Sequence, residues 1–198
     1  MAEHHQKVAL PNIPDRTPMV LANCFDGRGS PSVLPDVKRG QHDLVARLIR
    51  AGHRRIGYLT LRPAIAAGTL RTQAAAPPSP NPISPMTPPS LNTAIPEGRD
   101  GETQLLWDAV DRLLRLSAPP TAFFCGNDNM ALRAYGLLRS MGRKVPTEVS
   151  VAGYDEYRVI AKTLYPPLTT MDLPCTAMGV RAAQRLMAMI SGAKAVQV

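Results

Sequence analysis

Residues 120–131 read Pro120-Thr121-Ala122-Phe123-Phe124-Cys125-Gly126-Asn127-Asp128-Asn129-Met130-Ala131. Thr121 to Cys125 is a short, almost wholly apolar run, the pattern of a strand buried on both faces. It breaks at Gly126-Asn127-Asp128. Met130, Ala131, Ala134, Leu137, Leu138 and Met141 then recur with the period of a helix, and Gly142 is its stop signal. A buried strand running directly into an amphipathic helix is the building unit of a doubly wound parallel sheet. The unit repeats downstream: Val149 to Ala152 is a second strand, ending in Gly153-Tyr154-Asp155. Leu168 to Met171 is a third, and Val180, Ala183, Leu186, Met187 and Ile190 lie on a last helix. Just upstream, Leu105, Leu106, Ala109, Val110, Leu113 and Leu114 form another helical stripe, closed by Ser117-Ala118-Pro119-Pro120.

The first third of the chain carries the same grammar. Met19 to Ala22 suits a buried strand ending at Asn23. Gly27, Gly29 and Pro31 mark a loop, and Val33-Leu34 is a weaker strand. Leu44, Val45, Leu48 and Ile49 share a helix face that Gly52 terminates, and Arg55 to Thr60 follows as a strand. Between the two parts, Thr72 to Pro96 contains eight prolines and no charged residue. Such a segment is neither helix nor central strand and reads as irregular or disordered. Residues 74–97 have the composition of a GC-rich gene read out of frame, an origin that sequencing the gene would test.

Composition narrows the function classes. The 198 residues carry a formal charge of +8 and 44% hydrophobic residues, enough apolar content for a core. The basic residues are dispersed, the longest run being His53-Arg54-Arg55, so the charge reads as a solvated surface and not as a phosphate-binding face. Cys24, Cys125 and Cys175 are odd in number and far apart, which indicates neither a disulfide framework nor a zinc site and suits a reducing cytoplasm. No run of 18 apolar residues and no basic start followed by an apolar stretch suggests a membrane span or an export signal.

In an open parallel sheet, ligands bind beyond the carboxyl ends of the strands. Three strands here end in amide or carboxylate residues: Asn23, Asn127-Asp128 and Asp155. Side chains of this kind can donate to and accept from the hydroxyls of a sugar or polyol. Asp128, next to the expected helix start, reads as that helix's N-cap, whereas Asn127 and Asp155 read as ligand contacts. His53 reads as structural. No nucleophile elbow, phosphate-binding glycine loop or metal-ligand pair accompanies them, so no catalytic residue, metal or cofactor is expected.

Pro120 to Ala131, Val145-Pro146 through Val151-Ala152-Gly153-Tyr154-Asp155, and Pro166-Pro167-Leu168-Thr169-Thr170 together resemble, in order and spacing, the effector-binding core of LacI/GalR transcription regulators. Asp36 with Gly40, Leu48-Ile49 and Gly52-His53-Arg54-Arg55-Ile56 resemble the helix and strand of that family's other lobe. The match covers most of residues 18–71 and 98–192. It implies an α/β, periplasmic-binding-protein-like fold of two doubly wound parallel lobes that close on a small effector, with the N-terminal lobe incomplete. It also implies that Asn127 and Asp155 contact the effector, that Arg71 in Thr69-Leu70-Arg71-Thr72-Gln73 reaches it, and that Asn23 lines the same cleft. A homodimer is implied, with no membrane, and with DNA contacted only through a helix-turn-helix for which nothing before Pro18 has room.

The expected division is a tail over 1–17, a partial N-terminal lobe over 18–73, an irregular segment over 74–97 and a C-terminal lobe over 98–198. The expected function is ligand sensing for a repressor, without catalysis, in the cytoplasm. The rival readings are a non-functional fragment of a disrupted gene, an exported sugar-binding transport protein, and a doubly wound enzyme using Asp128, Asp155 and His53.

Overall fold

The computed structural model describes residues 6–10, 14, 17–61, 93–95 and 102–192. These fall into two compact units. One gathers the described residues up to Asp36 with 174–192, and the other holds 37–61, 93–95 and 102–173.

The larger unit is built on a five-stranded, all-parallel sheet. Its strands are β5 (Ile56–Leu61), β6 (Thr93–Ile95), β7 (Ala122–Cys125), β8 (Ser150–Asp155) and β9 (Thr169–Asp172), in the spatial order β6-β5-β7-β8-β9. β7 lies between β5 and β8 and all four of its residues are buried, as its unbroken apolar run requires. One face carries Ile56, Tyr58, Ala122, Phe124, Ala152 and Tyr154, packed against Leu44, Val45 and Leu48 of helix α1 (Val37–Arg50). The Tyr58 and Phe124 rings stack there with centroids 4.9 Å apart. On the other face Phe123 packs so closely over Gly57 that a methyl group on that glycine would sit 2.9 Å from its ring. Helices α2 (Glu102–Leu114) and α3 (Asp128–Ser140) pack together, α2 reaching β5 and α3 reaching β7, β8 and the short α4 (Arg158–Ala161).

Both glycine stop signals work as the sequence implies. Gly52 takes φ +96° and its N–H donates to the Ile49 carbonyl, while the His53 N–H reaches back to Leu48. Gly142 takes φ +77° with the same pair of bonds, to Arg139 and, from Arg143, to Leu138. These are Schellman closures, which need a residue at ease in the left-handed region.

The smaller unit contains β1 (Gln6–Lys7), β2 (Leu21–Ala22), β3 (Cys24–Phe25) and β4 (Ser32–Val33), paired parallel as β1-β3 and β2-β4. Helix α5 (Cys175–Ile190) packs on β2 and β4, and Arg185 donates to the Ser32 carbonyl at 3.3 Å.

Three features differ from the sequence reading. The helix and strand expected in an N-terminal lobe, α1 and β5, belong to the larger unit: Ile56 pairs with Ala122 and Tyr58 with Phe124 across a continuous ladder. Conversely α5, expected with the C-terminal strands, packs in the smaller unit. Lastly, Thr93–Ile95, inside the segment read as irregular, is a strand on β5 at one edge of the sheet. An edge is where a strand of three residues beside prolines can pair without their missing N–H groups being needed.

Candidate functional site

The carboxyl ends of β7, β8 and β9 bring one polar cluster together. Asn127 is buried at the N-cap of α3, with extended backbone, and its side-chain oxygen accepts from the Met130 N–H at 2.8 Å. The cap that the sequence reading gave to Asp128 therefore belongs to its neighbour. The helix begins one residue earlier than expected, which moves Asp128 to its first turn.

Asp128 is released for another task. Its side chain is buried, one carboxylate oxygen accepting from the Thr170 hydroxyl of β9 at 2.6 Å and the other from the Tyr157 N–H at 2.7 Å. Thr170 in turn accepts from the Glu156 N–H at 3.3 Å. One carboxylate thus ties α3 to β9 and to the loop leaving β8. Gly153 faces it, and a methyl group there would fall inside the contact radius of the Asp128 oxygen, so only glycine leaves the carboxylate its place.

The tethered loop carries Asp155. Among the described residues, non-glycine positive φ occurs at Asn23 (+60°), Asp155 (+122°) and Glu156 (+48°). Side chains resist this region, so a stretch of two such residues persists only where its surroundings hold it. Here the Asp128 and Thr170 bonds to the two following N–H groups do so. Asp155 is half-buried, its carbonyl accepts from the Leu173 N–H at 3.4 Å, and it pairs in register with Asp172.

Asn23 is buried between β2 and β3 in the smaller unit, its N–H donating to the Val33 carbonyl at 3.0 Å. Arg71 lies outside the described residues. The His53 Nδ1 lies 3.0 Å from the Thr121 hydroxyl. Cys125 is fully buried and burial pushes its thiol far up, so it is inert as a nucleophile. Among the described residues no group of three potential ligands could hold a metal ion, and no helix is long and apolar enough to cross a membrane.

Burial raises the Asp128 pKa from its usual 3.8, against the lowering by the Thr170 and Tyr157 bonds. Because the folded-state value stands above the unfolded one, the native state holds the proton more tightly between the two. The stability this confers is present below the unfolded value and is lost as pH rises through the folded one. Asp128→Asn removes the titration. The stability difference between wild type and this variant should therefore shift toward the variant as pH rises above the ordinary carboxylate value, as read by urea denaturation at a series of pH values. A difference independent of pH would exclude the shift.

A family described as periplasmic binding protein-like domain matches residues 45–198. The chain is 30% identical over 167 residues to the ribose operon repressor of Haemophilus influenzae, covering 82% of this chain and 47% of that protein. It is 32% identical over 170 residues to the HTH-type transcriptional repressor PurR of Mannheimia succiniciproducens, covering 86% and 45%. It thus spans about half the length of these curated relatives. A LacI-family regulator from Rhizobium etli superposes with a TM-score of 0.77 at 28% identity, over 96% of this chain and 69% of the other. The Escherichia coli transcriptional repressor ascG gives 0.69 at 28%, over 89% and 62%.

Proposed function

We propose, for a chain that belongs to the periplasmic binding protein-like family in its LacI/GalR branch of transcription regulators, that these residues sense a small sugar or polyol for a repressor. The observation that carries the reading is the strained, tethered Asp155 beside the buried Asn127 at adjacent strand ends. A carboxylate and an amide held at that edge of a parallel sheet suit vicinal hydroxyls, which donate to the one and exchange with the other. Asn23 and Arg71 are proposed as further contacts on the resemblance alone.

Binding acts by population shift, since an effector biases a regulator only as far as it binds one state better than another. The protein binds and releases its ligand unchanged. DNA reading is assigned to a helix-turn-helix part of the kind for which the PurR relative is named, and to no group among the described residues. The reading places the protein in the cytoplasm and includes a homodimer. Its support in the larger unit is a set of large apolar side chains left in solvent, Leu132, Val159 and Tyr165, the last 86% exposed.

The test is a thermal-shift screen of pentoses, hexoses and their alditols, beginning with D-ribose, followed by calorimetry on the best binder. One of these sugars should bind, and Asp155→Ala should weaken it at least about tenfold, a loss of about 1.4 kcal/mol. Because Asp155 side-chain removal leaves the Asn127 cap and the Asp128 bonds in place, the variant should fold as wild type does. No binder in the panel, or an unchanged affinity in Asp155→Ala, overturns the assignment.

A further inference from the structure

The larger unit has a recess at the opposite end of its sheet from Asn127 and Asp155. It is a cavity of about 450 Å³ where β8 and β9 begin, bordered by Ser150, Thr169, His53 and the last turn of α1. Arg47 and Arg50 from that turn line it, and no acidic side chain does so among the described residues. Neither arginine is ion-paired with a described acid, although Arg39, Arg115 and Arg158 are.

The arginines alone would say little, since basic residues in a last helical turn also answer the helix dipole. The rest of the lining gives them an object. His53 is anchored through Nδ1 to Thr121, which leaves Nε2 as the ring's remaining polar atom, and Ser150 and Thr169 line the same cavity. Leu48, Val151, Pro146 and Pro166 supply an apolar side. Two guanidinium forks, an imidazole and two hydroxyls around one volume suit a tetrahedral dianion, and the apolar side suits a carbon skeleton attached to it.

We propose that this cavity binds the phosphate monoester of a small metabolite, separately from the sugar assigned above. The ligand would occupy a position remote from the strained Asp155 loop, so the two can be bound at once. The inference does not depend on the sugar reading, because its lining shares no residue with that site.

The experiment is a titration of the full chain followed on the His53 ring signals by proton–carbon NMR, the signals being identified with His53→Gln. Glucose 6-phosphate should move the His53 signals saturably at about millimolar concentration or below, and glucose should leave them in place. Arg47→Ser/Arg50→Ser removes two exposed side chains and so keeps the fold, and it should weaken the ester at least about tenfold. Three results would overturn the proposal: signals unmoved by the ester, equal movement in the double arginine variant, or inorganic phosphate binding as tightly as the ester. The last would assign the cavity to the free anion.

Discussion

Phe124→Ala lowers the stability of the larger unit by about 3–5 kcal/mol, the cost of emptying a buried aromatic site that its surroundings cannot refill. Phe124 is 1% exposed on the central strand. Its ring stacks on Tyr58 from the neighbouring strand and belongs to the cluster that α1 covers with Leu44, Val45 and Leu48. Removing it withdraws contacts from two strands and a helix at once, and the ladders on both sides of β7 hold the backbone so that the space cannot close. A domain has only about 5–15 kcal/mol in total, so the loss is a large share of it. Urea denaturation followed by Trp107 fluorescence checks this, because the chain has one tryptophan and it lies on α2 of the same unit. The midpoint should fall with the slope unchanged, while Lys38→Ala at an exposed position should stay within about 0.5 kcal/mol of wild type. A Phe124→Ala midpoint within the same narrow margin would refute the account of the core.

The elements that the sequence announced are those with local causes. β7 and β8 are apolar runs cut off by polar residues, and Gly52 and Gly142 close their helices because the left-handed position at a helix end needs a glycine. Membership of a sheet has no local cause. Nothing within Arg55 to Thr60 states that Ile56 will face Ala122, since that register depends on residues more than sixty positions away. This is why α1 and β5 fall outside the unit that a lobe over 18–73 implies, and α5 outside the unit that a lobe over 98–198 implies. Thr93–Ile95 was hidden for the opposite reason, its local signal being swamped by the prolines around it.

The candidate site was legible to the same degree. Asn127 and Asp155 could be named because a strand end in a parallel sheet is a place as well as a pattern. The division of labour between Asn127 and Asp128 turned on one residue of helix start, finer than a sequence pattern resolves. The partners of Asp128, Thr170 and the Tyr157 N–H, lie 42 and 29 residues away, and no motif links them. The nearest sequence signal was the Gly153 that precedes Tyr154-Asp155, whose purpose is visible only once Asp128 is seen to occupy the space its side chain would take.

That relation yields the second large effect. Gly153→Ala should cost about 3 kcal/mol, because the new methyl group must displace a carboxylate that accepts two hydrogen bonds, each worth about 1.5 kcal/mol or more when the acceptor is charged. Asp128→Ala should cost a similar amount by deleting the same bonds directly. The decisive quantity is their combination. With the carboxylate gone, the methyl group at 153 has space toward residue 128, and the nearest atom left to it is the end of the flexible Leu168 side chain. The double variant should therefore be far less unstable than the two losses added, with a coupling of at least about 2 kcal/mol in a double-mutant cycle read by urea denaturation. Additive losses would mean that Gly153 matters for some reason other than making room for Asp128. Coupled losses would establish that a glycine on β8 exists to seat a carboxylate from α3, and through it to hold the strained loop on which Asp155 stands.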